Sequence, residues 1–468
     1  MFDAVYTKAE IFEIDAETAS PLHIGGPDGG NEQVLIHPER KVPFLQAFGI
    51  AGAFRALYEE KYGKDKTDEL FGRNSDDGTG QIKYDTGQIK FTDGYFKEDS
   101  QIKMEIRPHI AIDRETGTAA SSKVKGQSIS SGHKFETEYV GAGNRFSFAI
   151  YILSSSAHKE EIESLLQAMN AHDLQLGGLK STGSGYIKAI SVRYAIYDMT
   201  KPAERKAWLS DDRSALKEQE IGEAESGRAY ELLLKGRTKG ELLIKDIVPE
   251  GVGDGKADAV NIKNAKGEFI IPGSSLKGVI RSRMEMIAEY KKLPEDVVLH
   301  AFGLNTKDDS NDSSKDSFED SSYIGNLSFE DVIVEGHGEN NSESVKNQEH
   351  TRAHVHIDKF TGGAMYKHLF YEKNISGDVN IRIFVTADRC PDTDYAEKTL
   401  GLLILALRDL AAGEFTLGSG YGKGKGYIEA DTLEIKKKGE EVMTVNFTDQ
   451  TVRDADGLFE KCMNALEG

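Results

Sequence analysis

Polar and apolar residues alternate in the run TKAEIFEI at 7–14, and AYELLL at 229–234 begins with a similar signature. Both read as strands opening a folded unit. After each comes a loop and then an apolar stripe at helical spacing. The later stripe comprises Leu276, Val279, Ile280, Met284, Ile287 and Tyr290, with Ser274 or Ser275 as the expected cap; the earlier one comprises Ile50, Ala53, Phe54 and Leu57. Short strands around KFT (90–92) and NLSF (326–329) come next, then second helices over His158 to Ala171 and Tyr395 to Ala412. A glycine turn and a last strand close each unit. Strand, helix, two or more strands, helix, strand is the split βαβ order, so the pattern predicts an α+β chain of two tandem ferredoxin-like (RRM-like) modules with enlarged loops.

The two units are copies of one another. PFLQAFGIAGAFR (43–55) lies over FIIPGSSLKGVIR (269–281). LFG (70–72) with GQIKFTD (87–93) lies over AFG (301–303) with GNLSFED (325–331). IDRETGTA (112–119) matches IDKFTGGA (357–364), and STGSGYIKA (181–189) matches GSGYGKGKGYIEA (418–430). Order is kept while loop lengths drift, as in a duplicated domain. We expect a first module over 1–198, a linker over 199–228 and a second module over 229–468, interrupted at 304–322 by an Asp/Ser-rich stretch whose composition predicts a disordered acidic insert.

Composition narrows the chemistry. At 468 residues and 38% hydrophobic content the chain can bury two ordinary cores. A formal charge of −20 argues against free-standing, non-specific nucleic-acid binding, so any phosphate contact must be local. Cys390 and Cys462 are too few for a disulfide framework and have no zinc-like spacing, which fits a reducing cytoplasmic compartment. The opening MFDAVY lacks a signal-peptide pattern and no eighteen apolar residues run together, so neither export nor a membrane span is expected.

Local motifs offer candidate contacts. IPGSSLKG (271–278) sets glycine and serine at a helix entry where free N–H groups favour an anion, with Lys277 and Arg281 adding charge. A capped helix with a tight entry turn explains the same residues about as well. The spacing is not that of a P-loop, which leaves a nucleotide-binding enzyme a remote reading. The loop GSGYGKGKG (418–426) combines backbone freedom with Lys423 and Lys425, and Tyr421 is placed to stack on a base; a flexible hairpin is the plainer reading. Asp113 and Asp358 read as turn residues, with Gly117 or Gly362 at positive φ. Asp28, Asp254 and Asp258 lie in glycine-bearing loops before the first helices, where a carboxylate can act as base or hold a divalent ion, although turn formation is the commoner role. His350, His354 and His356 lack a third fixed partner and do not make a metal set.

Taken together, the doubled series of IPGSSLKG, Phe-Gly, Phe-x-Asp and Ile-Asp-Arg-x-Thr-Gly resembles the RAMP superfamily of CRISPR-associated proteins, specifically backbone subunits of type III interference complexes. A fused double subunit is similar to those of the type III-D branch. The resemblance implies that each module binds guide RNA, that complementary target RNA and other effector subunits are partners, and that a hairpin near the Ile-Asp-Arg segment wedges into the guide–target duplex. It implies RNA contacts at Gly273, Ser274, Ser275, Lys277 and Arg281, and along the loop at Gly418, Gly420, Tyr421, Gly422, Lys423 and Lys425. In the first copy they fall at Arg55, Lys180, Gly183 and Gly185.

The same resemblance implies target-RNA cleavage by an aspartate ahead of the Pro-Gly-Ser-Ser stretch, with divalent metal (Mg or Mn) held by Asp258 or Asp254 and an RNA phosphate. Asp258 sits nearest the family's position. The first copy has QAFGIA (46–51) in place of that stretch, and Asn31 and Glu32 where the aspartate would fall. Counting back 19 residues from the aligned positions Ala47 and Gly273 instead pairs Asp28 with Asp254. Two alternatives stay within the superfamily: a non-catalytic RNA scaffold, and a guide-processing endoribonuclease using His23 or His37 as base.

Overall fold

The computed structural model describes residues 6–25, 33–76, 82–97, 101–110, 112, 121–124, 127–132, 134–222, 226–228, 230–246, 256–303, 325–336, 349–386, 390 and 392–467. Two compact units emerge. One comprises Met1–Glu105, Thr137–Lys180 and Ser184–Gly227; the other comprises Ile106–Glu136, Ser181–Gly183 and Arg228–Gly468. The expected insert at 304–322 lies outside the described residues.

In the first unit, strand Lys8–Thr18 is central and pairs antiparallel with Arg145–Ser154 on one side and Ile187–Asp198 on the other. Ile89–Phe91 and Gly94–Phe96 both pair with Arg145–Ser154. The spatial order of the main strands is therefore last, first, third, second, the ferredoxin-like arrangement. Alternation sends Phe12 and Ile14 to one face, where they are buried with helices α1 (Ala47–Tyr62) and α3 (Lys159–Asn170). Helix α2 (Lys64–Phe71) follows α1 directly. Ala9 and Ile11 point to the opposite face.

That opposite face accounts for the segment expected to be a linker. Residues 199–228 carry helix α4 (Pro202–Leu209) and strand Lys217–Gln219, which extends the sheet beside Ile187–Asp198. Trp208 and Leu216 pack on Ala9, Ile11, Ala195 and Tyr197. Without them a second apolar sheet face would meet water, so these residues belong to the first unit's core rather than to a tether.

The second unit repeats the plan. Strand Tyr230–Lys239 lies between Asp378–Val385 and Tyr427–Lys437, and Leu327–Phe329 and Val332–Glu335 pair with Asp378–Val385. Helices α5 (Gly273–Lys291), α6 (Glu295–Phe302) and α7 (Thr393–Ala411) contribute to its core, and a C-terminal hairpin leads to α8 (Leu458–Ala465). In α5 the buried stripe is Leu276, Ile280, Met284 and Ala288; Tyr290, expected on it, is 86% exposed because it falls on the helix's outer side. Both central strands shift register against their last strand, between Asp15 and Ala16 and between Lys235 and Gly236.

Each copy also sends out a long strand pair. The first is Met104–Ile110 with Lys134–Val140, the second Glu349–Ile357 with Ala364–Ile375. We call these the arms. Among the described residues no helix is long and apolar enough to cross a membrane.

Candidate nucleic-acid interface

Helix α5 begins at Gly273 after Pro272, and no side chain caps it locally, so neither Ser274 nor Ser275 takes the expected role. The Gly273 N–H instead donates to Asp331 Oδ1 at 2.9 Å. In the first copy the Ala47 N–H at the start of α1 donates to Asp93 Oδ1 at 2.8 Å. Both aspartates end the Phe-x-Asp motif. Each supplies an anion at a helix N-terminus, so a carboxylate from the sheet occupies the first N–H that the sequence alone left open to a phosphate.

The remaining carboxylate oxygen differs between copies. Asp93 Oδ2 accepts from the Tyr95 hydroxyl at 3.1 Å, whereas Asp331 Oδ2 lies 2.7 Å from Arg107 Nη2, a buried guanidinium. Close approach explains Gly273, where a Cβ would collide with the Phe329 carbonyl. Lys277 Nζ donates to Ser181 Oγ at 2.7 Å. Burial, and then the nearby Arg281 charge, hold the Lys277 amine down to about 8. Arg281 itself donates to Glu285 at 2.9 Å, and its first-copy counterpart Arg55 donates to Asp68 and to the Gly72 carbonyl.

The glycine loops are structural joints as much as flexible hairpins. Gly185 and Gly426 have φ of 89° and 85°, and a Cβ on either would strike the carbonyl oxygen of Leu176 or Leu417. Gly177 and Gly418 likewise press on the carbonyls of His23 and Leu243. Each loop is thereby stitched to the segment after the first strand, with Gly178 N–H bonded to His23 O and Ser419 N–H to Leu243 O. Lys180 and Tyr421 open matching 3-10 turns, and Tyr421 is 69% exposed. In the second unit Gly183 packs beneath Phe329, which leaves no room for a side chain.

Lys425 was expected to face RNA and does not. It is buried, donating to Glu372 Oε2 at 2.6 Å and to Asn374 Oδ1 at 2.7 Å. Lys423 Nζ lies 3.4 Å from Glu372 Oε1, and His354 Nε2 lies 3.0 Å from Glu372 Oε2. Burial alone would raise the Glu372 carboxyl; the Lys425 hydrogen bond and the surrounding positive charge outweigh it and hold the group below the usual range. A loop cation is thus spent on fastening the glycine loop to the root of the second arm. The corresponding first-copy positions, Thr137 and Ser184, are buried but neutral.

Asp258 meets the same root from another edge. Its N–H donates to the Tyr371 carbonyl and its Oδ2 accepts the Tyr371 N–H at 2.7 Å. The side chain thereby continues the strand's edge pairing, and Asp258 is exposed. Among the described residues no three His, Cys, Asp or Glu side chains gather to hold a metal. Asp28 and Asp254 lie outside the described residues, as does most of the first Ile-Asp-Arg segment, Asp113 and Gly117 included. In its second-copy counterpart Asp358 Oδ1 accepts from the N–H groups of Phe360 and Thr361 and from the Thr361 hydroxyl, with Gly362 at φ 67°, which makes it the turn expected.

His23 is buried with Nδ1 2.8 Å from the Glu138 carbonyl, and His37 Nδ1 accepts from the N–H groups of Glu39 and Arg40. Both are engaged in shaping loops. Sequence reasoning missed Asp93, Asp331 and Glu372 as organising groups. The first two could have been found, since Phe-x-Asp recurs in both copies; Glu372 has no such counterpart.

A family model matches both copies of this architecture. The family model described as the RAMP superfamily matches residues 15–188 and 235–429, one segment in each copy. A protein named "CRISPR system Cms endoribonuclease Csm3" from Methanocaldococcus jannaschii is 28% identical over 204 residues, spanning 38% of this chain and 77% of that protein. A chain in the cryo-EM structure of the type III-B Cmr-beta complex bound to cognate target RNA aligns with TM-score 0.31 and 17% identity, covering 40% of this chain and 61% of that one. With both copies of the duplicated module matched along most of their length, the chain belongs to the RAMP superfamily.

Proposed function

We propose that this chain is a duplicated backbone subunit of a type III CRISPR effector complex, similar to those of the type III-D branch. In this reading it binds guide RNA and cuts complementary target RNA within the assembled complex. The observation that carries the reading is the docking of Asp258 on the root of the second arm at Tyr371, beside the residue that fastens the glycine loop. One carboxylate oxygen is held by the Tyr371 N–H; in this reading the other accepts the proton of an RNA 2′-OH.

A divalent ion, Mg or Mn, fits this site only if the RNA supplies most of its ligands, because the described residues gather no three-sided protein set. When bound it would neutralise charge on the scissile phosphate. Asp258, or Asp254 in the alternative register, is the residue that would hold it. Among the described residues this reading favours Tyr421, Lys423 and the exposed arm as RNA contacts, since Lys425 and Asp331 are committed internally.

The test is cleavage of a labelled target by the assembled complex carrying Asp258→Ala, Asp254→Ala or Asp28→Ala. At least one variant should lose a discrete cleavage position while target binding persists. Unchanged cleavage in all three overturns the catalytic part and leaves the scaffold reading.

A further inference from the structure

Cys390 lies in the connection between strand Asp378–Val385 and helix α7, just ahead of Asp392, which caps that helix by accepting the Tyr395 N–H. It is partly exposed, whereas Cys462 is buried in the second unit's core. Burial, and then the nearby Glu397 and Asp454 charges, push the Cys462 thiol up to about 12, which leaves it inert.

Asn326 distinguishes Cys390 from an ordinary surface thiol. The residue is wholly buried and its backbone is fixed on both sides: its N–H donates to the His300 carbonyl at 3.1 Å, and its carbonyl accepts the Thr386 N–H at 2.9 Å. Its side-chain Nδ2 stands 2.9 Å from Cys390 Sγ and 3.5 Å from Thr399 Oγ1. Asn326 Oδ1, on the same amide, is buried with no hydrogen-bond partner among the described residues. A buried acceptor left unmade is costly, and an amide that keeps this cost while its donor end rests on a sulfur calls for a role at that sulfur.

An N–H donor on sulfur favours the thiolate, the form that attacks disulfides, and the N-terminus of α7 acts in the same direction. Among the titratable groups on the packed elements, Asp392 is spent on the Tyr395 N–H and Asp296 on the Tyr395 hydroxyl, while His300 lies edge-on to the Tyr395 ring. Asp388 and Arg389 precede Cys390 in the chain with opposite charges. The first copy carries a hydroxyl at the matching place: Ser156 is exposed and stands as far ahead of His158, the N-cap of α3, as Cys390 stands ahead of Asp392.

We propose that Cys390 is a thiol–disulfide exchange site that takes a small peptide disulfide of the glutathione class. The Cys390 thiolate attacks one sulfur of that disulfide, a new S–S bond forms as the old one breaks, and the departing thiolate takes up the proton that Cys390 gave away. Cys390 is thereby oxidised to a mixed disulfide, and the departing half of the ligand is reduced. A peptide suits the site because N–H groups beside its sulfur are the donors that Asn326 Oδ1 lacks. The adduct stands at the entry of α7, whose buried face belongs to the second unit's core, and it is removed again by any reducing thiol. This inference does not depend on the RNA-binding reading.

The test incubates the full-length chain with glutathione disulfide and maps adducts by peptide mass spectrometry. Cys390 should be modified and Cys462 not. At about pH 7 Cys390 in the folded chain should react about tenfold faster than Cys390 in the chain unfolded in urea, a comparison that needs no variant. Asn326→Asp, which keeps the side chain's size and removes its N–H donor, should slow the folded reaction about tenfold at pH 7 and leave it nearly unchanged at about pH 10, where an ordinary thiol is already ionised. Cys390→Ser should abolish the adduct without lowering the melting temperature. A folded-state rate no faster than the unfolded one overturns the proposal, as does a rate at pH 7 indifferent to Asn326→Asp.

Discussion

Asp331 reaches from the sheet to the Gly273 N–H at 2.9 Å and with its other oxygen holds the Arg107 guanidinium at 2.7 Å. One carboxylate thus caps a helix and neutralises a buried cation. Asp93 caps its helix in the same way, but among the described residues its second oxygen meets the Tyr95 hydroxyl rather than a buried cation.

Asp331→Ala should therefore cost more than Asp93→Ala. Loss of a cap is worth about 1–2 kcal/mol. Removing one partner of a buried ion pair costs about 3–5 kcal/mol. Urea denaturation of the two variants should show the second unit destabilised by about 3 kcal/mol or more for Asp331→Ala, and the first unit by about half that or less for Asp93→Ala. Equal losses would mean that the Arg107 contact contributes nothing.

Lys277 gives a pH dependence of stated sign. Its amine, normally near 10.5, is held down to about 8 by burial and by Arg281. Between those two values the unfolded chain binds the proton and the folded chain does not, so stability should rise as pH climbs from about 8 towards 10.5. Thermal melts of the wild-type chain and of Lys277→Met over that range provide the check. The variant should lose this component of the slope.

The Glu372–Lys425 pair should behave as a coupled unit. Lys425→Met removes the buried partner of a buried carboxylate, leaving it Lys423 and His354, and should destabilise the second unit by about 3 kcal/mol. Adding Glu372→Gln should recover part of that loss, giving a positive coupling in a double-mutant cycle. Because Glu372 is held below its ordinary range, the wild-type pair's contribution is complete above the unfolded carboxyl's range and disappears as pH falls through the lowered folded value. Melts of the wild-type chain and the double variant in acid should converge accordingly.

Glycines in the last loops divide by geometry. At Gly185 and Gly426 a Cβ meets a carbonyl oxygen at positive φ, whereas at Gly422 it meets nothing within 4 Å. Gly426→Ala should cost at least about 1 kcal/mol and Gly422→Ala within about 0.5 kcal/mol. A comparable cost at Gly422 would show that the loop owes its shape to something other than these close approaches.

Much of the frame was legible in the chain itself. Strand alternation at 7–14, the helical stripe after Gly273 and four landmarks in conserved order predict two α+β modules, because periodicity and duplication are local properties that survive divergence. Even the turn at Asp358 follows from residue chemistry over five positions. The linker was misread because α4 and the strand at 217–219 are short and polar on their own; only the uncovered sheet face at Ala9 and Ile11 gives them a place.

What tertiary structure decided was which charges remain for a ligand. Sequence shows Lys425, Lys277 and an open helix entry as equal invitations to phosphate. The fold turns Lys425 onto Glu372, half-buries Lys277 beside Ser181 and sets Asp331 on the first N–H of the helix entry. It also stacks His354 on Phe370 across two strands 16 positions apart in sequence. Local pattern determines where a strand or helix forms; partners brought together from distant segments determine whether a charged group is desolvated and paired or left to meet RNA.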